Sequence, residues 1–185
     1  MVAFGGVLVL GILKGVMVAV VISMLLLIRR AAHPHVAFLG RIPGTRSYSD
    51  ISRNPANEAV LGVLVFRVEA SLLYFNAEHV RDAVWEKIRS TTGTLKLVVC
   101  DLSTSPLVDL AGARMLATLH ATLEAMGVRL RLASPHAAVR DILRAEGLEE
   151  RVGYFGHGFS VADAIDDLQG YPRAGSPAVQ IPPAT

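Results

Sequence analysis

KLVVCDLSTSPLVDLAGARML, residues 96–116, is the stretch on which the fold turns. Its opening part, Leu95 to Leu102 (LKLVVCDL), is an apolar run of the kind found in strands buried on both faces of a parallel sheet. Asp109 stands where a helix N-cap is wanted, because its short carboxylate can accept from N–H groups that the first helical turn leaves unpaired. The spacing predicts a helix from there to about Met126, stopped by Gly127, with Leu116, Leu119, Leu123 and Met126 on its core face. Strand, loop and helix in that order make an α/β unit.

Working toward the C-terminus, Val128 to Ala133 alternates around Arg129 and Arg131 and reads as a strand. Ser134 and Pro135 are expected to open a helix that ends at Gly147. Val152 to Phe155 reads as a short last strand, and Ser160 with Asp163 has the spacing of a capping box for a final helix to about Leu168. Residues 171–185 carry four prolines and are expected to be a disordered tail.

Toward the N-terminus, Val60 to Glu69 is rich in β-branched residues and predicts a strand. Ser71 to Phe75 is expected to pair with it through a tight turn. Asn76 is a good N-cap for a helix Ala77 to Ser90 whose residues Val80, Ala83, Val84 and Ile88 share one face. Residues 31–59, with Pro34, Pro43, Gly44 and Pro55, read as a connector, and residues 60–170 as one domain. The predicted order is β-β-α-β-α-β-α-β-α, a mixed β-sheet with helices packed on it.

A different kind of segment precedes this α/β domain. From Val2 to Ile28 the only polar side chains are Lys14 and Ser23, and the run ends at Arg29 and Arg30. As a helix it would reach about 40 Å, against roughly 30 Å of hydrocarbon in a bilayer. A cleaved signal peptide fits poorly, since positive charge should precede a short apolar stretch and here the basic pair follows a long one. Residues 1–30 are therefore expected to be a transmembrane helix or a helical hairpin. Arg29 and Arg30 place the following domain in the cytoplasm by the bias of basic residues toward that side of a plasma or inner membrane.

Lys14 complicates a single span, because lysine at the centre of a helix in lipid costs roughly 2.5–3.5 kcal/mol on insertion scales. Gly11 and Gly15 flank it, so a break is expected, ending one helix at about Leu10 and starting a second from Gly15 to Ile28. That second piece would be only about 21 Å long and would need protein neighbours in the bilayer.

The whole chain has 185 residues, 52% of them hydrophobic, and a formal net charge of +2 from 18 basic and 16 acidic residues. With charge this close to balance and no basic run beyond the membrane edge, nucleic acid is not an expected partner. The single cysteine, Cys100, leaves no internal disulfide and no multi-cysteine metal site to consider.

At this point the residues resemble a known family. Residues 96–116 look like the signature of STAS domains, a core strand, a loop and an Asp-x-x-Gly helix start. The phrases RIPGTRSYSDI, FRVEASL and YFNAEHV, with GILKGV ahead of them, resemble the join between the last membrane segment and the STAS domain of SulP-type anion transporters. The resemblance implies a cytoplasmic regulatory module at the end of a carrier for sulfate, bicarbonate or related anions. Its implied partners are the membrane, an upstream transporter membrane domain, a second copy in a homodimer, and a regulatory protein at the STAS surface. Two membrane segments do not enclose a midplane site, so no transport is expected of this chain by itself. The competing expectation is a membrane-tethered STAS signalling module that binds a regulatory protein.

Free-standing STAS proteins of the sigma-factor switch resemble Asp-Ser-Ser-Gly where this chain has Asp109, Leu110, Ala111 and Gly112; a phosphate ester cannot form on either apolar residue. Ser103, Thr104, Ser105 and Asp109 form a candidate regulatory or anion-contact loop near a helix N-terminus, with hydroxyls that simply close a turn as the competing reading. Asp101 and Asp109 are a conceivable acid–base pair, but capping and loop closure explain them with fewer assumptions. The histidines are scattered, and the pair His33 and His35 falls short of the three or four ligands a metal needs. Cys100 in an apolar strand is expected to be inert, Gly156–His157–Gly158 a turn, and Arg140, Arg144 and Arg151 a solvated basic face. No enzyme activity and no cofactor are expected.

Overall fold

The computed structural model describes residues 12–170. It opens with helix α1, Ile12–Ala32, 21 residues and so about 31 Å long. The second helix, expected from Gly15, is already formed at Ile12 and passes through Lys14 and Gly15 without interruption; Gly11, the other flank of the expected break, lies outside the described residues. One glycine in a helix costs only about 1 kcal/mol, too little to end it amid so many helix-compatible neighbours. The first helix expected to Leu10 lies outside the described residues, as does the tail 171–185. Large apolar side chains of α1 from Leu13 to Ile28 are exposed around its circumference.

Five strands form one sheet in the order β2-β1-β3-β4-β5. Strands β1 (Val36–Arg41) and β2 (Tyr48–Asp50) are an antiparallel pair, and β1 is also antiparallel to β3 (Val63–Val68). Strands β3, β4 (Leu97–Asp101) and β5 (Arg129–Ala133) are mutually parallel. The stretch expected as a connector thus supplies two strands, one of them interior. Its prolines bracket β1 rather than interrupt it, Pro34 before the strand and Pro43 after it, which is where proline is tolerated.

The other corrections share a cause. Ser71–Phe75 does not form a hairpin with β3, because both edges of β3 are already occupied, by β1 and by β4. Leu72 instead makes a single parallel bridge to Val108. Val152–Phe155 is not a strand: α5 (Leu148–Val152) ends there, between Gly147 and Gly153 at positive φ, and Phe155 is a buried loop side chain. Helix α4 (Ala137–Ala145) starts later than Ser134 and Pro135 suggest. Ser134 sits at φ 54 and its N–H donates to the Phe159 carbonyl at 2.8 Å, so it is a sharp corner and not a cap.

Two apolar layers cover the sheet. On one face α2 (Ala77–Ser90), α3 (Leu110–Ala125), α4 and α5 pack Val80, Val84, Leu116, Leu119, Leu123 and Leu143 against Phe66, Val98 and Cys100. On the other, α6 (Val161–Gln169) lays Val161, Ala164 and Ile165, with Phe159, on Ala37, Leu39, Val65, Leu97 and Val99. Successive β4 residues alternate between the layers and all five are buried, as its unbroken apolar run requires. Met126 is exposed rather than core, since it is the C-cap residue of α3 and not part of its buried face.

Helix α6 starts with the capping box: the Asp163 N–H donates to Ser160 Oγ at 3.3 Å, and the Ser160 N–H donates to Asp163 Oδ2 at 2.9 Å. Ser160→Ala should lower stability by about 1 kcal/mol, seen as a reduced midpoint in urea at unchanged slope.

Candidate functional site

The antiparallel pairing fixes where the domain meets α1. Strand β1 begins at Val36 opposite Val68, the last residue of β3, so the chain leaving α1 arrives at the C-terminal end of the parallel strands. The loops 69–76 and 102–109 meet at this same end, and this is where the candidate residues lie.

Asp101, at the end of β4, is held by three donors. Its Oδ2 accepts from Arg67 Nε at 2.9 Å and from the second guanidinium nitrogen at 2.6 Å, while Oδ1 accepts from the Ser103 N–H at 2.9 Å. Thr104 Oγ1 donates to the Val68 carbonyl at 2.9 Å, and Ser105 Oγ donates to the Ala70 carbonyl at 2.9 Å. The hydroxyls of Thr104 and Ser105 thereby sew the loop after β4 to the end of β3.

Asp109 does two things at once. Oδ1 accepts from the Gly112 N–H at 2.8 Å, which caps α3, and Oδ2 accepts from the Tyr74 N–H at 2.8 Å, which ties in the preceding loop. Asp101 and Asp109 therefore sit in separate hydrogen-bond sets. Among the described residues no group of three or more His, Cys, Asp or Glu side chains is arranged to hold a metal ion.

Asn76 precedes α2 as expected but acts differently from an N-cap. Its Oδ1 accepts from the Leu73 N–H at 2.9 Å, and its Nδ2 donates to the Ser71 carbonyl at 3.0 Å and to the Ala31 carbonyl of α1 at 3.4 Å. His79 Nε2 donates to the Pro34 carbonyl at 3.3 Å, and its ring meets that of His33 edge-on at 4.9 Å. His33 Nδ1 in turn donates to the Arg29 carbonyl at 3.1 Å. Arg29 and Arg30 are exposed in the last turn of α1. The end of α1 and the residues just after it are thus bonded to the start of α2 and the residue before it.

His35 extends this junction to the sheet edge, meeting Asp50 Oδ2 at 3.3 Å. Burial by itself pushes the Asp50 carboxyl up, but the Ser52 hydroxyl and N–H, with His35, outweigh it and hold the group below its ordinary range. A carboxyl depressed in the fold stabilises it above the unfolded value, near pH 4, and that contribution is lost as pH falls through the folded value. Asp50→Asn should accordingly flatten the stability profile below about pH 4, measured as urea midpoint against pH.

The remaining candidates have local partners. Cys100 is fully buried and its thiol is pushed well up by that burial and by the Asp101 charge. Arg140 donates to the Pro135 carbonyl at 2.9 Å, Arg144 pairs with Glu149, and Arg151 is exposed; the expected basic face is divided in this way. His157 and Gly158 form a turn, with Gly158 at φ 78. Sequence reasoning missed Arg67, whose signal was a lone cation inside the apolar strand VLVFRV, and it missed the bonding roles of Asn76, His33 and His79.

A mixed sheet with a helix started by Asp-x-x-Gly at the C-terminal end of its central parallel strand defines the STAS class of domain. The chain belongs to the STAS domain family, which it matches over residues 54–164. High affinity sulfate transporter 2 of Stylosanthes hamata is 28% identical over 171 residues, covering 88% of this chain and 26% of that one. A probable sulfate transporter of Mycobacterium tuberculosis is 34% identical over 144 residues, covering 78% of this chain and 26% of that one. The chain thus spans about a quarter of the length of these curated relatives. Among solved structures, the murine solute carrier 26 family member A9 anion transporter in the inward-facing state superimposes with a TM-score of 0.75 at 27% identity, over 91% of this chain and 28% of that one. An apolar helix followed by this domain is the arrangement of the STAS region of SulP-type transporters.

Proposed function

We infer that this chain works as the membrane-proximal helix and cytoplasmic regulatory STAS module of a SulP-type carrier for an inorganic anion such as sulfate or bicarbonate. The observation that carries the reading is the exposed apolar helix α1, of bilayer length, bonded through Asn76 at Ala31 and through His79 at the following Pro34 to a domain of the family that the sulfate transporters above share. The one span among the described residues cannot enclose a midplane substrate site, so the anion path belongs to a membrane domain with which the chain works, and the chain by itself moves no anion and catalyses no reaction. Arg29 and Arg30 hold the domain at the inner face of the plasma membrane. The family resemblance suggests a dimer and leaves room for a regulatory protein at the STAS surface. A stand-alone signalling module is less well supported, because Leu110 and Ala111 offer no hydroxyl for a partner kinase.

The test is an exchange. The mycobacterial relative with its matching C-terminal quarter replaced by this chain should take up labelled sulfate, and the same chimera lacking residues 36–170 should not. Vesicles holding this chain alone should match empty vesicles. Uptake by the chain alone, or a chimera that folds and reaches the membrane but stays inactive, would overturn the reading.

A further inference from the structure

Strand β1 pairs with β3 only from Val36 to Leu39, where Leu39 lies opposite Val65. Beyond that point Gly40 and Arg41 pair with β2, and Arg41 bridges to Glu58. Among the described residues, Val63 and Leu64 at the start of β3 therefore have β4 on one side and no strand on the other. The gap between them and the last turn of α2 is a cavity of about 380 Å³, at the end of the domain opposite the arrival of α1. Phe38, Ile51, Val60 and Val63 wall it with apolar surface, and Leu61, 98% exposed, stands at its rim.

Among the described residues, Lys87 is the one ionisable group that lines this cavity. Its ammonium lies 5.4 Å from the centroid of the Phe38 ring, over that apolar wall, and no carboxylate of the described residues pairs with it. Arg81, on the same helix, is paired with both Glu78 and Asp82. The hydroxyls of Ser90 and Thr91 donate to the Lys87 carbonyl at 2.9 and 2.8 Å, so the turn that carries Lys87 is held in place.

We propose that this cavity binds a small organic carboxylate, its apolar body against Phe38, Val60 and Val63 and its acid group at Lys87; the proposal does not depend on the carrier reading. The volume is that of a small-molecule site, and apolar walls with a few fixed polar groups are the usual lining of one. An inorganic oxyanion would exchange its hydration for one cation and hydrocarbon walls, at a net cost. A cation would meet no carboxylate here, and a wholly apolar ligand would strip water from Lys87 without replacing it. A carboxylate on an apolar body satisfies the wall and the charge together and covers Leu61. Helix α2, 14 residues and about 21 Å long, has its first turn at the α1 joint and its last turn at the cavity. An occupant therefore holds one end of the helix whose other end meets the membrane segment.

The full chain in lipid nanodiscs, titrated calorimetrically with phenylbutyrate against empty nanodiscs, tests this. Phenylbutyrate should bind saturably, and its neutral amide, phenylbutyramide, should bind roughly tenfold more weakly or worse. Lys87→Gln and Leu61→Asp, both at exposed positions, should each weaken phenylbutyrate by a similar factor, whereas Arg81→Gln should leave its binding unchanged. Absence of saturable binding would overturn the site. Equal affinity for acid and amide would overturn the pairing with Lys87, and undiminished binding to both Lys87→Gln and Leu61→Asp would place the ligand elsewhere on the chain. Displacement of phenylbutyrate by an equal concentration of sulfate would overturn the choice of an apolar carboxylate.

Discussion

Asp101→Ala should lower the unfolding free energy by about 3 kcal/mol, the low end of the cost of breaking a buried ion pair. The Asp101 side chain is 3% exposed and that of Arg67 24%, so the guanidinium left behind regains only part of its hydration. The same change leaves the Ser103 N–H without its acceptor and frees the loop that carries Thr104 and Ser105. Asp101→Asn keeps one acceptor and should cost less than alanine. Urea unfolding followed by Trp85 fluorescence, in detergent with the full chain, measures both. A loss below about 1 kcal/mol for Asp101→Ala would mean that Arg67 and Asp101 are not the clamp that joins β3 to β4.

Gly112→Val should be at least as damaging, about 3 kcal/mol or more. A Cβ at residue 112 would stand 2.6 Å from the Leu72 carbonyl oxygen and 2.9 Å from Leu72 Cγ. The backbone cannot yield there without breaking the hydrogen bond from the Asp109 N–H to that same carbonyl. Gly44→Ala separates space from backbone conformation, since Gly44 has φ +73 and nothing within 4 Å of an added Cβ; it should cost only about 1 kcal/mol. If Gly112→Val unfolded no more easily than Gly44→Ala, the close approach of α3 to the loop at Leu72 would be wrong.

Those two sites lie in the stretch from which the fold could be read, and the reasons are physical. The unbroken run from Leu97 to Asp101 has to be buried on both sides, and the Asp109 cap and the Ser160 capping box are bonds between residues three apart, so sequence carries them whole. Strands β1 and β2 were hidden because their pairing is long-range and their flanking prolines resemble loop punctuation. Leu72 was misplaced because nothing local says that both edges of β3 are taken. At the candidate site, the Asp109 cap was legible and the Asn76 cap was not formed, while the contacts from Asn76 to Ala31 and from His79 to Pro34 span 45 residues each and leave no periodic trace.

Only three residues, His33, Pro34 and His35, separate the last turn of α1 from the first residue of β1, and two of them are bonded to α2 and to Asp50. The link has no slack. A rotation of the helix about its own axis cannot dissipate in a loose tether, so it is transmitted as torque to the interior of the sheet, and the domain turns with the helix as one lever.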